Sequence, residues 1–289
     1  MESPIACLAY SPDNRYIACG HVDGAISLHC VNNASEKKSR ELLHNFRGHS
    51  HGVCDLVWSG DGRYVFSGSD DGTICVWSVE RRARVRRLEG HSAPVFCLAV
   101  NPQGTVLGSG SLDTAVGLWD VRGGKNMEML YGHLSGVLSI AFSGDGRLVA
   151  SCGSDGFLCV WLAESFMCVG KTVHPAGIVS TVFTPNSRHV AGCDVDGKVF
   201  FVCAETGGTI RTVETGQKEV LRMCFVFRGE ECFLFTGSRA GDVCLWDVGT
   251  KKRVKHRELG RCCGISVSPS GRVASGEGVA FETVGFIWE

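Results

Sequence analysis

The stretch GSGSLDTAVGLWD, residues 108–120, decides how the rest of the chain is read. It alternates small and apolar residues, turns at Asp113 and stops at Trp119-Asp120, with a Gly-His pair upstream at 90–91. His91, Ser109 and Asp113 thus fall within 23 residues of one another, the residue types of a hydrolase's catalytic trio. The same spacing recurs, however. His49, His91 and His133 precede Asp71, Asp113 and Asp155 by 22 residues each. In each set a serine (Ser67, Ser109, Ser151) stands four before the aspartate, and a tryptophan (Trp77, Trp119, Trp161) stands six after it. A catalytic trio occurs once; three identically spaced sets are a building element.

The tail of the stretch recurs along the whole chain. DGTICVW ends at Trp77, DTAVGLW at Trp119 and DGFLCVW at Trp161, and AGDVCLW and ETVGFIW end at Trp246 and Trp288. DGAISLH, ending at His29, and DGKVFFV, ending at Val202, bring the copies to seven. Within a copy, short β-type runs such as VCDLVW, YVFSGS and TICVW are separated by turns such as SGDGR and DDG, one turn every 8 to 12 residues. A period of about 42 residues closing on Trp-Asp resembles the WD40 repeat family. The resemblance implies an all-β, seven-bladed propeller over 1–289, in which stacked four-stranded sheets bury each other's faces. It also implies that each His-Ser-Asp-Trp set is a hydrogen-bonded structural tetrad.

Bulk properties agree with a folded binding module. The 289-residue chain can bury a sizeable core, and its net charge of −1 leaves no electrostatic footprint for sequence-specific nucleic-acid or membrane binding. No apolar run reaches the length of a membrane span, and MESPIACLAY lacks the basic start of a secretory signal. The 16 cysteines show no CxxC pair, so they read as thiols of a reducing compartment, with strand positions such as Cys54, Cys75, Cys97 and Cys159 packing as small hydrophobes and no zinc site. There is no GxxxxGK[ST], GxSxG or HExxH motif, so no cofactor, metal or catalytic residue is expected.

The pattern decays outside repeats 2 to 4. Repeat 5 keeps His174 and Asp196 but has Gly192 and Val202 at the serine and tryptophan positions. Repeat 1 has Asp23, with Cys19 and His29; repeat 6 has Thr236, Ala240 and Trp246; repeat 7 has Ser275 and Trp288. Blades 1, 5, 6 and 7 are therefore expected to be less rigid. The last repeat ends on its third strand, so blade 7 is either three-stranded or covered along its edge by another element. The insertion NNASEKKSRE at 32–41 reads as a solvated loop, and the basic runs RRARVRR (81–87) and KKRVKHR (251–257) as charged outer edges, with nuclear import as the alternative.

In the resembled family, partner segments bind at the mouth of the central channel. The matching positions are three and five residues after the loop histidine and one before the turn aspartate. Here these are Gly52, Cys54 and Asp70; Pro94, Phe96 and Leu112; Gly136, Leu138 and Ser154; and Gly177, Val179 and Val195, joined by Ala6, Leu221 and Cys263. This small, apolar ring with one aromatic and one acid suggests a slim, cationic side chain as guest. Over about 46–164 the chain resembles one branch in particular, the WD-repeat subunit of histone H3 lysine-4 methyltransferase complexes. That branch implies an arginine from a histone tail or methyltransferase segment, stacked on Phe96 near Asp70, although Leu221 stands where a second ring is expected. Trp119-Asp120-Val121-Arg122 is similar to the WDxR box of cullin-4 ubiquitin-ligase receptors. The third alternative is a general scaffold in RNA processing or trafficking. All three make the chain an intracellular, non-catalytic, monomeric subunit of a larger complex, in nucleus or cytoplasm.

Overall fold

Turn chemistry converts each repeat into antiparallel strands. In SPDNR, SGDGR and SGDGR, the hydroxyls of Ser11, Ser59 and Ser143 donate to Asp13, Asp61 and Asp145 at 2.6 Å. The same carboxylates accept the main-chain N–H of Arg15, Arg63 and Arg147, closing the first hairpin of the repeat. The second hairpin turns on a left-handed residue, supplied by glycine at Gly24, Gly72, Gly156, Gly197 and Gly241.

Repeat 3 departs from this rule: Thr114 sits there with φ 73°. A β-branched residue in the left-handed region is strained by about 1–2 kcal/mol. Thr114→Gly should therefore raise unfolding stability by about 0.5–1 kcal/mol after the entropy that glycine adds to the unfolded chain. A shift of the urea midpoint at unchanged slope reads this out; a lower midpoint would refute it.

In a computed structural model, residues 3–31, 40–228, 231–250, 252–259, 264–268, 272–277 and 280–285 are described. They form seven antiparallel sheets, six of four strands and one of three. Each sheet runs outward in chain order, from Ile5–Tyr10 to Arg40–Phe46 in blade 1 and from Val95–Val100 to Lys125–Tyr131 in blade 3. The innermost strands of neighbouring blades touch in sequence, and the seventh, Gly264–Val267, touches the first. Side chains stitch this ring: the N–H groups of Leu98, Thr181 and Tyr10 donate to Asp55 Oδ2 (2.8 Å), Ser139 Oγ (3.1 Å) and Ser266 Oγ (3.2 Å) of adjacent blades. The fold is an all-β propeller.

The core lies between blades. Cys7 and Ala9 of blade 1 pack with Val53, Leu56 and Trp77 of blade 2, and Val116 and Leu118 of blade 3 with Val137, Ile140 and Trp161 of blade 4. Cys7, Cys75, Cys97, Cys152 and Cys159 are buried thiols in these layers, and burial raises the pKa of each. Residues 83–87 of RRARVRR and 252–257 of KKRVKHR fall on exposed outer strands, Ala83–Leu88 and Lys252–Glu258. Blade 7 has three strands among the described residues; Trp288, Cys263 and residues 32–39 of the insertion lie outside them.

Candidate functional site: tetrads and channel mouth

The three histidine-serine-aspartate sets are built alike. His49, His91 and His133 place Nδ1 at 3.0, 2.9 and 3.1 Å from Asp71, Asp113 and Asp155. Their Nε2 atoms lie 2.7, 2.7 and 2.8 Å from the hydroxyls of Ser67, Ser109 and Ser151. Trp77, Trp119 and Trp161 donate Nε1–H to those same hydroxyls at 2.8–2.9 Å. Every group is satisfied by one arrangement: indole N–H to serine, serine O–H to Nε2, and Nδ1–H to carboxylate. A serine held between a tryptophan donor and an imidazole inside a blade is closed to substrate. The glycine before each histidine belongs to the design, since a Cβ on Gly90 or Gly132 would meet the indole of Trp119 or Trp161 at 3.0 or 2.8 Å.

Burial pushes the imidazole pKa of His49, His91 and His133 down, against the pull of the aspartates. For Asp71, burial acts upward but is outweighed by hydrogen bonds from Thr73, the Ser50 N–H and His49, which hold the carboxyl well below its usual range. Asp113 and Asp155 are lowered in the same way, against burial, by main-chain donors and their histidines.

The degenerate repeats are rebuilt. In repeat 5 His174 does not reach Asp196, which is exposed; its Nε2 lies 3.7 Å from buried Asp194. Its ring stacks on Phe200 at 4.5 Å, and Phe200 fills the serine site, leaving room only for Gly192, whose Cβ would come 2.6 Å from the phenyl ring. In repeat 1, Ser27 joins His21 (2.7 Å) to His29 (2.9 Å), a relay that sequence reading missed because His21 stands in the second strand. In repeat 6, Trp246 donates to Thr236 at 2.9 Å, Thr236 to Gln217, and Gln217 to the Asp242 carbonyl at 2.8 Å. Gln217 thus stands in for the histidine.

The mouth follows from a second repeated device. Six innermost strands carry a register shift, between Ile5 and Cys7, Val53 and Asp55, Val95 and Cys97, Val137 and Ser139, Ile178 and Ser180, and Val220 and Arg222. The residue skipped in each bulge is Ala6, Cys54, Phe96, Leu138, Val179 or Leu221, and all six line one central cavity of ≈ 520 Å³. Around it, among the described residues, pre-turn residues donate their N–H to a loop carbonyl of the same blade: Asp70 to Gly52 and Leu112 to Pro94 at 2.9 Å, Ser154 to Gly136 at 3.2 Å, and Val195 to Gly177 at 3.1 Å. Val22 to Pro4 and Arg239 to Glu219 add two more such bonds, four positions that sequence spacing left out. Cys54, read above both as a packing thiol and as a mouth position, lines this cavity and donates to Asp70 Oδ1 at 3.2 Å. Phe96 is half-buried and faces Gly136 beside Leu112.

Inside the cavity the structure adds a pair that sequence reading did not place. Arg222 of blade 6 reaches Asp55 of blade 2, Nη1 to Oδ1 at 4.0 Å. A guanidinium therefore already occupies the space offered to a cationic guest. Among the described residues one group could bring three ligand atoms to a metal ion, Asp242, His256 and Glu258, partly exposed on the outer part of blade 6.

The WD domain, G-beta repeat profile matches residues 2–29, 40–78, 82–120 and 124–161. The chain belongs to the WD40 repeat family. WD40 propellers are generally non-catalytic and bind other proteins. The chain is similar to an uncharacterized WD repeat-containing protein of Schizosaccharomyces pombe, 35% identical over 79 residues, 27% of this chain and 12% of that protein. It is also similar to echinoderm microtubule-associated protein-like 3 of Homo sapiens, 36% over 75 residues, 26% of this chain and 8% of that protein. The pre-rRNA-processing protein IPI3 of Mycosarcoma maydis is 34% identical over 79 residues, 27% of this chain and 12% of that protein. The matches thus span 8–12% of the length of these curated relatives, and none of the three is a histone methyltransferase subunit.

Proposed function

We propose that this WD40 propeller is a non-catalytic scaffold that holds a segment of a partner protein across its channel mouth. The supporting observation is the exposure of apolar rim side chains: Val22 is 57% exposed, Leu112 49% and Val195 44%. Apolar groups gathered around a rigid, hydrogen-bonded rim are a contact surface, since isolated exposed side chains would need no such frame. Quantitative affinity purification of the wild type against a Leu112→Asp/Val195→Asp protein tests this. The co-purifying set should be lost from the double variant; an unchanged set would sink the reading.

Two finer readings have observations behind them. An arginine-bearing histone H3 tail or methyltransferase segment would stack on Phe96 and meet Asp70, with about 0.5–2 kcal/mol from the stack. Leu221 and Arg222 oppose it. Calorimetric titration with an unmodified H3 N-terminal peptide decides: micromolar binding, lost with an arginine-to-alanine peptide and with Phe96→Ala, would support it, and no heat would end it. The ligase-receptor reading is favoured by exposed Arg122, next to buried Trp119. Adaptor co-purification lost on Arg122→Ala would support it. A scaffold in RNA processing or trafficking fits if both fail.

A further inference from the structure

We propose that the group seated in the channel mouth is a carboxylate-tipped side chain, glutamate or aspartate, of an extended partner segment, and that Arg222 receives it. The inference rests on the scaffold reading above and names the guest's chemistry. Three charged residues line the cavity, Asp55, Arg222 and Arg239, with Asp70 beside Cys54 and Glu219 beside Arg239 at its rim. Arg222 is 49% exposed at its side chain and faces Asp55 at 4.0 Å, the outer limit of an ion pair. A guanidinium carries five N–H donors in a fixed fork, so most of its capacity is directed at no protein carboxylate.

Asp55 is the weaker half of this pair. Its Oδ1 accepts the Leu56 N–H at 2.9 Å and its Oδ2 the Leu98 N–H at 2.8 Å, so it is committed to joining blades 2 and 3. Burial also raises its pKa, against the pull of Arg222. Arg239 stands at the rim with Glu219 at 3.7 Å, both well exposed. An incoming carboxylate finds a forked donor inside a wall of Phe96, Leu138, Val179 and Leu221. A guest with apolar residues flanking one acid matches both wall and rim. An incoming arginine would meet the like charge of Arg222 in the same cavity.

The test is selection of a random 12-residue phage-displayed peptide library on the full chain, followed by fluorescence anisotropy with the best synthetic peptide. Enriched peptides should share one acid among apolar residues. Changing that acid to its amide should weaken binding about 10–100-fold, the loss expected for a hydrogen bond to a charged group. Arg222→Met should cost the same, and combining it with the amide peptide should add nothing. Arg222→Lys, which keeps the charge but not the fork, should fall between, and unchanged circular dichroism melting establishes folding. Peptides lost on Leu112→Asp but indifferent to Arg222→Met, or sharing an invariant arginine, would overturn the carboxylate and leave the scaffold reading standing. Peptides indifferent to both substitutions, or no enriched peptide, would overturn both.

Discussion

Trp119→Ala is expected to lower the unfolding free energy by about 3–5 kcal/mol, the range for emptying an aromatic site in a packed interior. Trp119 is 1% exposed, packs against Gly90 and lies with its ring centroid 5.9 Å from that of His91. Its indole N–H is the donor that leaves the Ser109 hydroxyl proton free to serve His91. Alanine removes the ring, opens space between blades 2 and 3, and strips Ser109 of a donor where water has no access. Blade 5 provides the control. Val202, at the equivalent position, is buried but supports no such relay, so Val202→Ala should cost only about 2 kcal/mol for its methyl groups and the space they leave. Urea titration at one pH, with slopes compared, separates the two. Equal losses would mean that the tetrad is a bystander and the ring mere filling.

Stability should fall steeply when the pH drops below about 6.5, the ordinary value for histidine. In the folded protein burial pushes His49, His91 and His133 below that value. The unfolded chain then takes up protons first, so stability is intact above the unfolded pKa and is lost as the pH falls toward the folded one. Each group contributes up to about 1.4 kcal/mol per pH unit, about 4 kcal/mol per unit for three in step. Asp71, Asp113 and Asp155, held low by their donors, act in the same direction but later, below about 3.8. Asp55 acts oppositely, because its raised pKa gives stability that is lost as the pH rises through it, but it is one group against six. Urea midpoints measured at pH 8, 7, 6 and 5 should be level over the first two and drop over the last two. A midpoint held constant to pH 5 would show that the tetrad histidines are not kept neutral.

The propeller was legible from the sequence because its signals are local and repeated. The tryptophan interval of 42 residues and the His-Ser-Asp spacing in repeats 2 to 4 need no knowledge of the fold's interior. The substitutes were not legible, because they exchange residue type and position together. Gln217 with Thr236, and Ser27 between His21 and His29, do the same work with different atoms. Phe200 explains Gly192 only once the ring is seen lying in the serine's place. The same decay ends the profile match at residue 161 while the sheets continue. The mouth was legible as positions but not as chemistry. Arg222 looks like an ordinary strand residue until blade 6 is set across the channel from blade 2, where Asp55 waits.

The bulges of the innermost strands have a consequence for how such a protein changes over time. A residue stepped out of the ladder makes no cross-strand partnership, so replacing it alters no rung. Ala6, Cys54, Phe96, Leu138, Val179 and Leu221 already span small, sulfur-bearing, aromatic and branched side chains at equivalent places. Selection can therefore rewrite the channel one letter at a time while the relays between blades keep the ring intact. The channel lining and the architecture are inherited on separate positions, and a new lining does not require a new fold.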